Sequence, residues 1–266
     1  MKKLILAALL AAGMMNAASA ADDALQAAIA SPTRTPANVA RDAWRHPYDT
    51  LTFFGIKPTM TVVELVPSGG WYTEILAPYL RAQGKYIGAG PVPDPVKNRG
   101  MAFQRKLESN PAMYDKAVAG VFNPPAAYNI APAGSVDMVL TFRNVHNWIE
   151  GGDAGLVDVF RQVYTVLKPG GVLGVVDHRL PEAAAQDATA SSGYVHESYM
   201  IAMAEKAGFR LAGKSEVNAN PKDNTVHKQG VWALPPTYIN KDEDRAAYQA
   251  IGESDRMTLK FVKPMK

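Results

Sequence analysis

Thr61-Val62-Val63-Glu64-Leu65-Val66-Pro67-Ser68-Gly69-Gly70 is the stretch whose reading decides the fold. Its first half is a β-branched run, bounded by Pro58 upstream and by proline, serine and glycine downstream. That pattern predicts a short strand ending in a tight turn. A helical pattern, Trp71 to Gln83, begins at once and is kinked or shortened by Pro78. The same strand-then-helix order then recurs. Lys85 to Ala89 reads as a second strand, followed by a helix with apolar positions at Met101, Phe103 and Leu107. Ala117 to Phe122 and Val136 to Phe142 read as strands three and four. Leu156 to Leu167 is amphipathic, with Leu156, Val159, Phe160, Val163 and Leu167 on one face. It stops at Lys168-Pro169-Gly170-Gly171. Val172 to Asp177 is an uninterrupted apolar run, as expected of a strand buried on both faces of a parallel sheet. Tyr194 to Ala207 reads as a helix ended by Gly208.

Alternating strands and helices predict a mostly parallel sheet with helices on both faces. The C-terminal end breaks the pattern. Leu211 to Val217 and Met257 to Val262 read as strands with no clear helix between them, so an antiparallel final strand is expected. Residues Asn218 to Asp255 read as one long polar connection.

The N-terminus reads as an address. Lys2 and Lys3 precede an apolar run, Leu4 to Met15, and Ala18-Ser19-Ala20 fits a cleavage site, so a signal peptide over 1–20 is expected, cut after Ala20. The expected location is periplasmic or secreted, with no stable membrane anchor after cleavage. Residues 21–58 read as a helical N-terminal segment, Asp22 to Ala30 and Ala37 to Arg45 being its clearest parts, and form a candidate lid. Residues 59–266 then form the main domain. A formal charge of +3, two units of it in Lys2 and Lys3, gives no electrostatic case for nucleic acid. The chain has no cysteine, which excludes a thiol nucleophile and a cysteine-based zinc site. His196-Glu197 opens like a zinc-binding helix, but position 200 is Met, and no metal site is expected.

In an open parallel sheet, ligands lie beyond the carboxyl ends of the strands, where strand order reverses. Glu64 sits near the end of the first strand, and Pro67-Ser68-Gly69-Gly70 lets the backbone approach a ligand. The loop lacks G-K-[ST] and G-x-G-x-x-G, so it is neither a P-loop nor a dinucleotide fingerprint. Ser68 and Gly70 fit a hydrolase elbow, but Val66 stands where that motif needs glycine.

Several stretches together resemble one family. Val62 through Gly70 looks like motif I of class I S-adenosylmethionine-dependent methyltransferases, and Ser135 to Leu140 resembles their fourth strand. Leu167-Lys168-Pro169-Gly170-Gly171-Val172-Leu173 is very like the turn before their fifth strand. Ala207-Gly208-Phe209 matches the lead into their sixth. A finer resemblance is to a group of predicted bacterial methyltransferases with signal peptides. It rests on Arg41-Asp42 through Arg45-His46-Pro47, Thr50-Leu51 through Phe54-Gly55, Glu64 through Glu74, Asn144 to Trp148, and Arg256 to Pro264. The resemblance implies a Rossmann-like class I methyltransferase fold with a seven-stranded sheet. It also implies S-adenosylmethionine as cofactor, held by Glu64, Val66, Pro67, Ser68, Gly69, Gly70, Trp71 and Tyr72, and a small-molecule methyl acceptor. Val66 and Ser68 replace two of the motif's glycines, and the second strand ends in Gly88-Ala89-Gly90-Pro91 without an acid; the nearest is Asp94.

In this family the loop after strand four commonly faces the methyl group. Here it is Phe142-Arg143-Asn144-Val145-His146-Asn147-Trp148. His146 is the candidate base, and Asn144 is the candidate for orienting cofactor or acceptor. His178 and Arg179, after Asp177, are also expected at the ligand edge. Two other readings stay open. One is an exported binding or scaffold protein on the same fold without turnover. The other is a serine hydrolase using Ser68.

Overall fold

The computed structural model describes residues 20–98 and 100–265. The signal-peptide segment lies almost wholly outside the described residues; of it only Ala20 is described, as the start of a helical stretch over 20–29, α1. Three short helices follow, α2 (Pro36–Val39), α3 (Asp42–Arg45) and α4 (Pro47–Phe54). The stretch read as one helix from Ala37 to Arg45 is thus two, with a break at residues 40–41. Helix α4 is closed by Gly55, whose φ of 83° is a left-handed conformation that glycine adopts without a side-chain clash.

Nine strands form the sheet among the described residues: β1 (Thr61–Leu65), β2 (Lys85–Gly90), β3 (Val118–Asn123), β4 (Ala127–Asn129), β5 (Val136–Phe142), β6 (Leu167–Leu180), β7 (Val195–His196), β8 (Arg210–Ser215) and β9 (Arg256–Val262). Their order is β4-β3-β2-β1-β5-β6-β9-β8, with β7 paired to the end of β6. The central run from β3 to β6 is parallel, and β9 is antiparallel to both β6 and β8. This is an α/β Rossmann-like sheet. Seven strands carry it, as expected, and the three-residue β4 and two-residue β7 are additions too short to leave a pattern in sequence.

Strand alternation divides the core in two. On β1, Val63 and Leu65 face the layer that holds α8 (Gly152–Val166) and α9 (Glu197–Lys206). Val62 faces the layer of α4 and α5 (Thr73–Leu80). Met138 and Leu140 on β5 join Val62, while Val136 and Val139 join Val63. Both faces are therefore covered, the condition under which apolar strands run without polar alternation.

Two expectations need correction. The turn Lys168-Pro169-Gly170-Gly171 does not precede a strand; it bulges out within β6. Val136 pairs with Leu167 and Met138 with Val172, and Lys168 to Gly171 loop out between those pairs. Gly170 takes φ 77° there, and its N–H donates to Lys263 O. The connection from 218 to 255 is also not structureless. It holds a 3₁₀ turn (Gly230–Ala233) and α10 (Arg245–Ile251), and buries Val231, Ala233, Leu234 and Tyr248. Its polar residues are anchors: Asn218 Nδ2 donates to Thr50 Oγ1 and Thr258 Oγ1, and Asp223 accepts from the Tyr194 hydroxyl at 2.9 Å.

Candidate functional site

Strand order reverses beside β1, whose neighbours are β2 on one side and β5 on the other. The loop leaving β1 crosses this point. Val66 has φ 49° and Ser68 φ 51°, left-handed values that are costly for a β-branched valine. The Val66 N–H donates to Ala89 O at 2.7 Å, and Gly70 N to Pro67 O at 2.8 Å, so the strained loop is held from both ends. Val66, Pro67 and Ser68 border two cavities at once. The first, about 440 Å³, lies over the end of β2 and the start of β3 under helix α6 (Met101–Ser109) and is mainly apolar. The second, about 290 Å³, is polar, and the N-terminal segment and the loop after β5 complete it.

Glu64 lines the second cavity and is buried. Its Oε2 accepts from Tyr86 Oη at 2.6 Å and from Thr73 Oγ1 at 3.2 Å. Burial raises its carboxyl to about 7, against the opposing pull of those two hydrogen bonds and of Arg45. Gly69 lies open, with free space where a side chain would stand, whereas Gly70 is packed against Lys106. Trp71 and Tyr72 form an aromatic wall: Tyr72 stacks on Phe142 at 3.5 Å between ring centroids, and Trp71 Nε1 donates to Asn38 O. All eight residues expected around a cofactor thus sit at this crossing, and seven of them line the polar cavity, Gly70 being the exception.

The two candidate chemical residues part company. Asn144 lines the polar cavity and ties it to β1, donating through Nδ2 to Leu65 O at 3.1 Å. His146 lines neither cavity; its Nδ1 meets Asp177 Oδ1 at 2.9 Å, and both residues are buried. Asp177 also accepts from the backbone N–H groups of His146 and His178. His178 lies next to them, with Nδ1 on Ser254 Oγ and Nε2 accepting from Arg143 Nε at 3.5 Å. Burial, reinforced by the Arg143 charge, keeps its ring neutral by pulling its pKa well down. His146, Asp177 and His178 are close enough to share an ion, yet the guanidinium of Arg143 already occupies the approach to His178. Arg179 points away, to Glu216 and Asp255. Ser68 Oγ is exposed, and its hydrogen bond goes to Val66 O within its own loop, so no histidine partners it among the described residues.

Sequence reasoning placed Arg45 in the candidate lid segment and Arg143 in the loop after strand four, but did not foresee that they meet in the most charged part of the site. Arg41 and Arg45, four residues apart at the two ends of α3, line the polar cavity together with Arg143. Behind them Glu253 accepts from Arg41 Nε at 2.6 Å, Arg45 Nε at 3.2 Å and Arg256 Nη1 at 2.9 Å. The spacing of Arg41 and Arg45 was a usable signal; Glu253, in the long polar segment, offered none.

No family model matches this chain, and no curated protein sequence does. Solved structures match well in shape. An S-adenosylmethionine-dependent methyltransferase from Aquifex aeolicus superposes with a TM-score of 0.57 over 86% of this chain and 94% of its own, at 14% identity. The [4+2]-cyclase SpnF gives 0.56 over 84% and 83%, also at 14% identity. An S-adenosylmethionine-dependent methyltransferase from Mesorhizobium loti gives 0.50 over 81% and 96%, at 12% identity. At such identities the likeness establishes the fold, and the fold alone does not fix the reaction. These structures share the α/β Rossmann-like architecture of this chain.

Proposed function

We propose that this protein is an exported S-adenosylmethionine-dependent methyltransferase acting on a small molecule. The observation that carries the reading is the meeting of two unlike cavities at Val66-Pro67-Ser68, at the reversal point of strand order. An apolar chamber suits the adenosine part of the cofactor, and the side of the polar one lined by Glu64 and Pro67 to Gly69 suits its amino-acid end. Val66, Pro67 and Ser68 border both chambers. The residues present therefore fit the group, with one departure. The end of β2 offers Gly90 and Pro91 and no carboxylate, and Asp94 is engaged in its own loop through Val96 N and Lys97 N. Weaker ribose binding than an acid there would give is the expected consequence.

When bound, S-adenosylmethionine supplies an electrophilic methyl group, and transfer then depends on alignment more than on any single catalyst. In this reading Asn144 pins the loop after β5 to the end of β1, and Tyr72 stacked on Phe142 keeps water from that side. His146, within that loop, forms a buried pair with Asp177, which makes it a positioning residue in the described arrangement. The N-terminal segment serves as a lid fixed by Thr35 and Arg34 on Glu74. Calorimetric titration of the purified protein with S-adenosylmethionine and S-adenosylhomocysteine tests the proposal. Saturable binding of both is expected. No heat at millimolar ligand would sink it in favour of a non-catalytic binding protein.

A further inference from the structure

The polar cavity holds more positive charge than the protein neutralises. Arg41, Arg45 and Arg143 line it and Arg256 stands behind them, while one carboxylate, Glu253, contacts three of the four. Arg143 has no carboxylate within ion-pairing distance among the described residues, only the long contact to His178. Arg41 Nη2 is buried with no hydrogen-bond partner. Glu64 shares the cavity, but its raised carboxyl is a weak counter-charge near neutrality, and Asp177 is taken up by His146 and two backbone N–H groups. Burial brings Arg45 down to about 9 and Arg143 to about 10, with mutual repulsion adding to it and Glu253 opposing it. Unpaired buried cations are costly unless something with negative charge joins them.

We infer that the methyl acceptor carries an oxyanion, a carboxylate or phosphate group, which docks between Arg41, Arg45 and Arg143. Guanidinium forks suit such groups because they donate two parallel hydrogen bonds. Two of the three arginines come from the N-terminal segment and one from the loop after β5, so the anion site is assembled from elements other than the Val66 to Gly70 turn. A cationic sulfonium next to this cluster also needs the charge that such an acceptor brings. The inference rests on the methyl-transfer reading for the word acceptor. The anion site itself is measured without any cofactor, so the two can fail separately.

The experiment titrates the purified protein with inorganic phosphate and with malonate at constant ionic strength, following heat and thermal midpoint. Saturable binding is expected, weakened about tenfold or more in Arg143→Gln and in Arg41→Gln, the loss typical of a charged hydrogen bond. Arg41→Gln leaves Glu253 with Arg45 and Arg256, and so keeps the test alive if Arg143→Gln does not fold. Repeating the titration with S-adenosylhomocysteine bound separates the sources of the anion. Unchanged or tighter phosphate binding supports an acceptor site. Competition by S-adenosylhomocysteine, but not by 5′-methylthioadenosine, which lacks the amino-acid end, assigns the arginines to the cofactor's carboxylate and overturns the inference. Absence of saturable binding, or undiminished binding in both variants, overturns the anion site as well.

Discussion

At the scale of single residues, Glu64 is the most informative side chain. It lies on the face of β1 that looks toward Tyr86 and α5, a consequence of strand alternation that also puts it beside Val62. Its folded carboxyl titrates at about 7 against an ordinary 4.5, chiefly because burial penalises the charge. The folded chain thus holds that proton more tightly than the unfolded chain. Its contribution to stability is greatest below about 4.5 and declines as pH rises through about 7. Glu64→Gln keeps the acceptor for Tyr86 and removes the titration. At pH 8 the variant is expected to be more stable than the parent by ~1–3 kcal/mol, with the gap closing toward acid pH. Urea unfolding at several pH values measures it, and a gap independent of pH would show that the group is not desolvated.

Elements set the shape of the apolar cavity. Helix α6 is seated by Phe103, whose ring lies where a side chain on Gly88 would stand: an added Cβ would come within 2.1 Å of it. Gly88 is therefore required by close approach, not by an unusual φ. Gly88→Val should push α6 off β2, lowering stability by ~1–3 kcal/mol as overpacking does, and reduce S-adenosylhomocysteine binding. Denaturant midpoints and calorimetry on the same variant check both parts; an unchanged midpoint would mean that α6 is not packed as described. The helix itself was legible from Met101, Phe103 and Leu107. Its seat was not, because a glycine in a strand reports only that something comes close.

Across the whole molecule, Glu253 ties the two ends of the chain together. Its partners Arg41 and Arg45 come from the N-terminal segment and Arg256 from the start of β9. Burial alone would raise its carboxyl, yet Arg45, Arg256, Arg41 and Arg143 outweigh that and hold it at about 2. The stabilisation is fully present above about 4.5 and is lost as pH falls through about 2. Glu253→Gln leaves four cations around a neutral amide and is expected to cost ~3 kcal/mol or more. Equilibrium unfolding at pH 7 tests this, and a change below ~1 kcal/mol would place the pair among weak surface contacts.

Local pattern alone was enough for the alternating strands, the turn at Pro67 to Gly70, the face of α8 and the antiparallel final strand. Each depends on residues that are neighbours in sequence and on periods of two and 3.6. Tertiary structure decided the rest. Asn218, Asn220, Asp223 and Glu253 read as solvated loop residues because polar side chains usually are, and they are buried only because Thr50, Thr258, Tyr194 and the arginines lie opposite them. His146 read as a base because it follows a strand end, whereas its pairing with Asp177 thirty-one positions away sets which way it faces. The charge of the polar cavity belongs to no stretch of sequence. It arises where residues 41, 45, 143 and 256 converge, and convergence over such separations is a property of the folded chain.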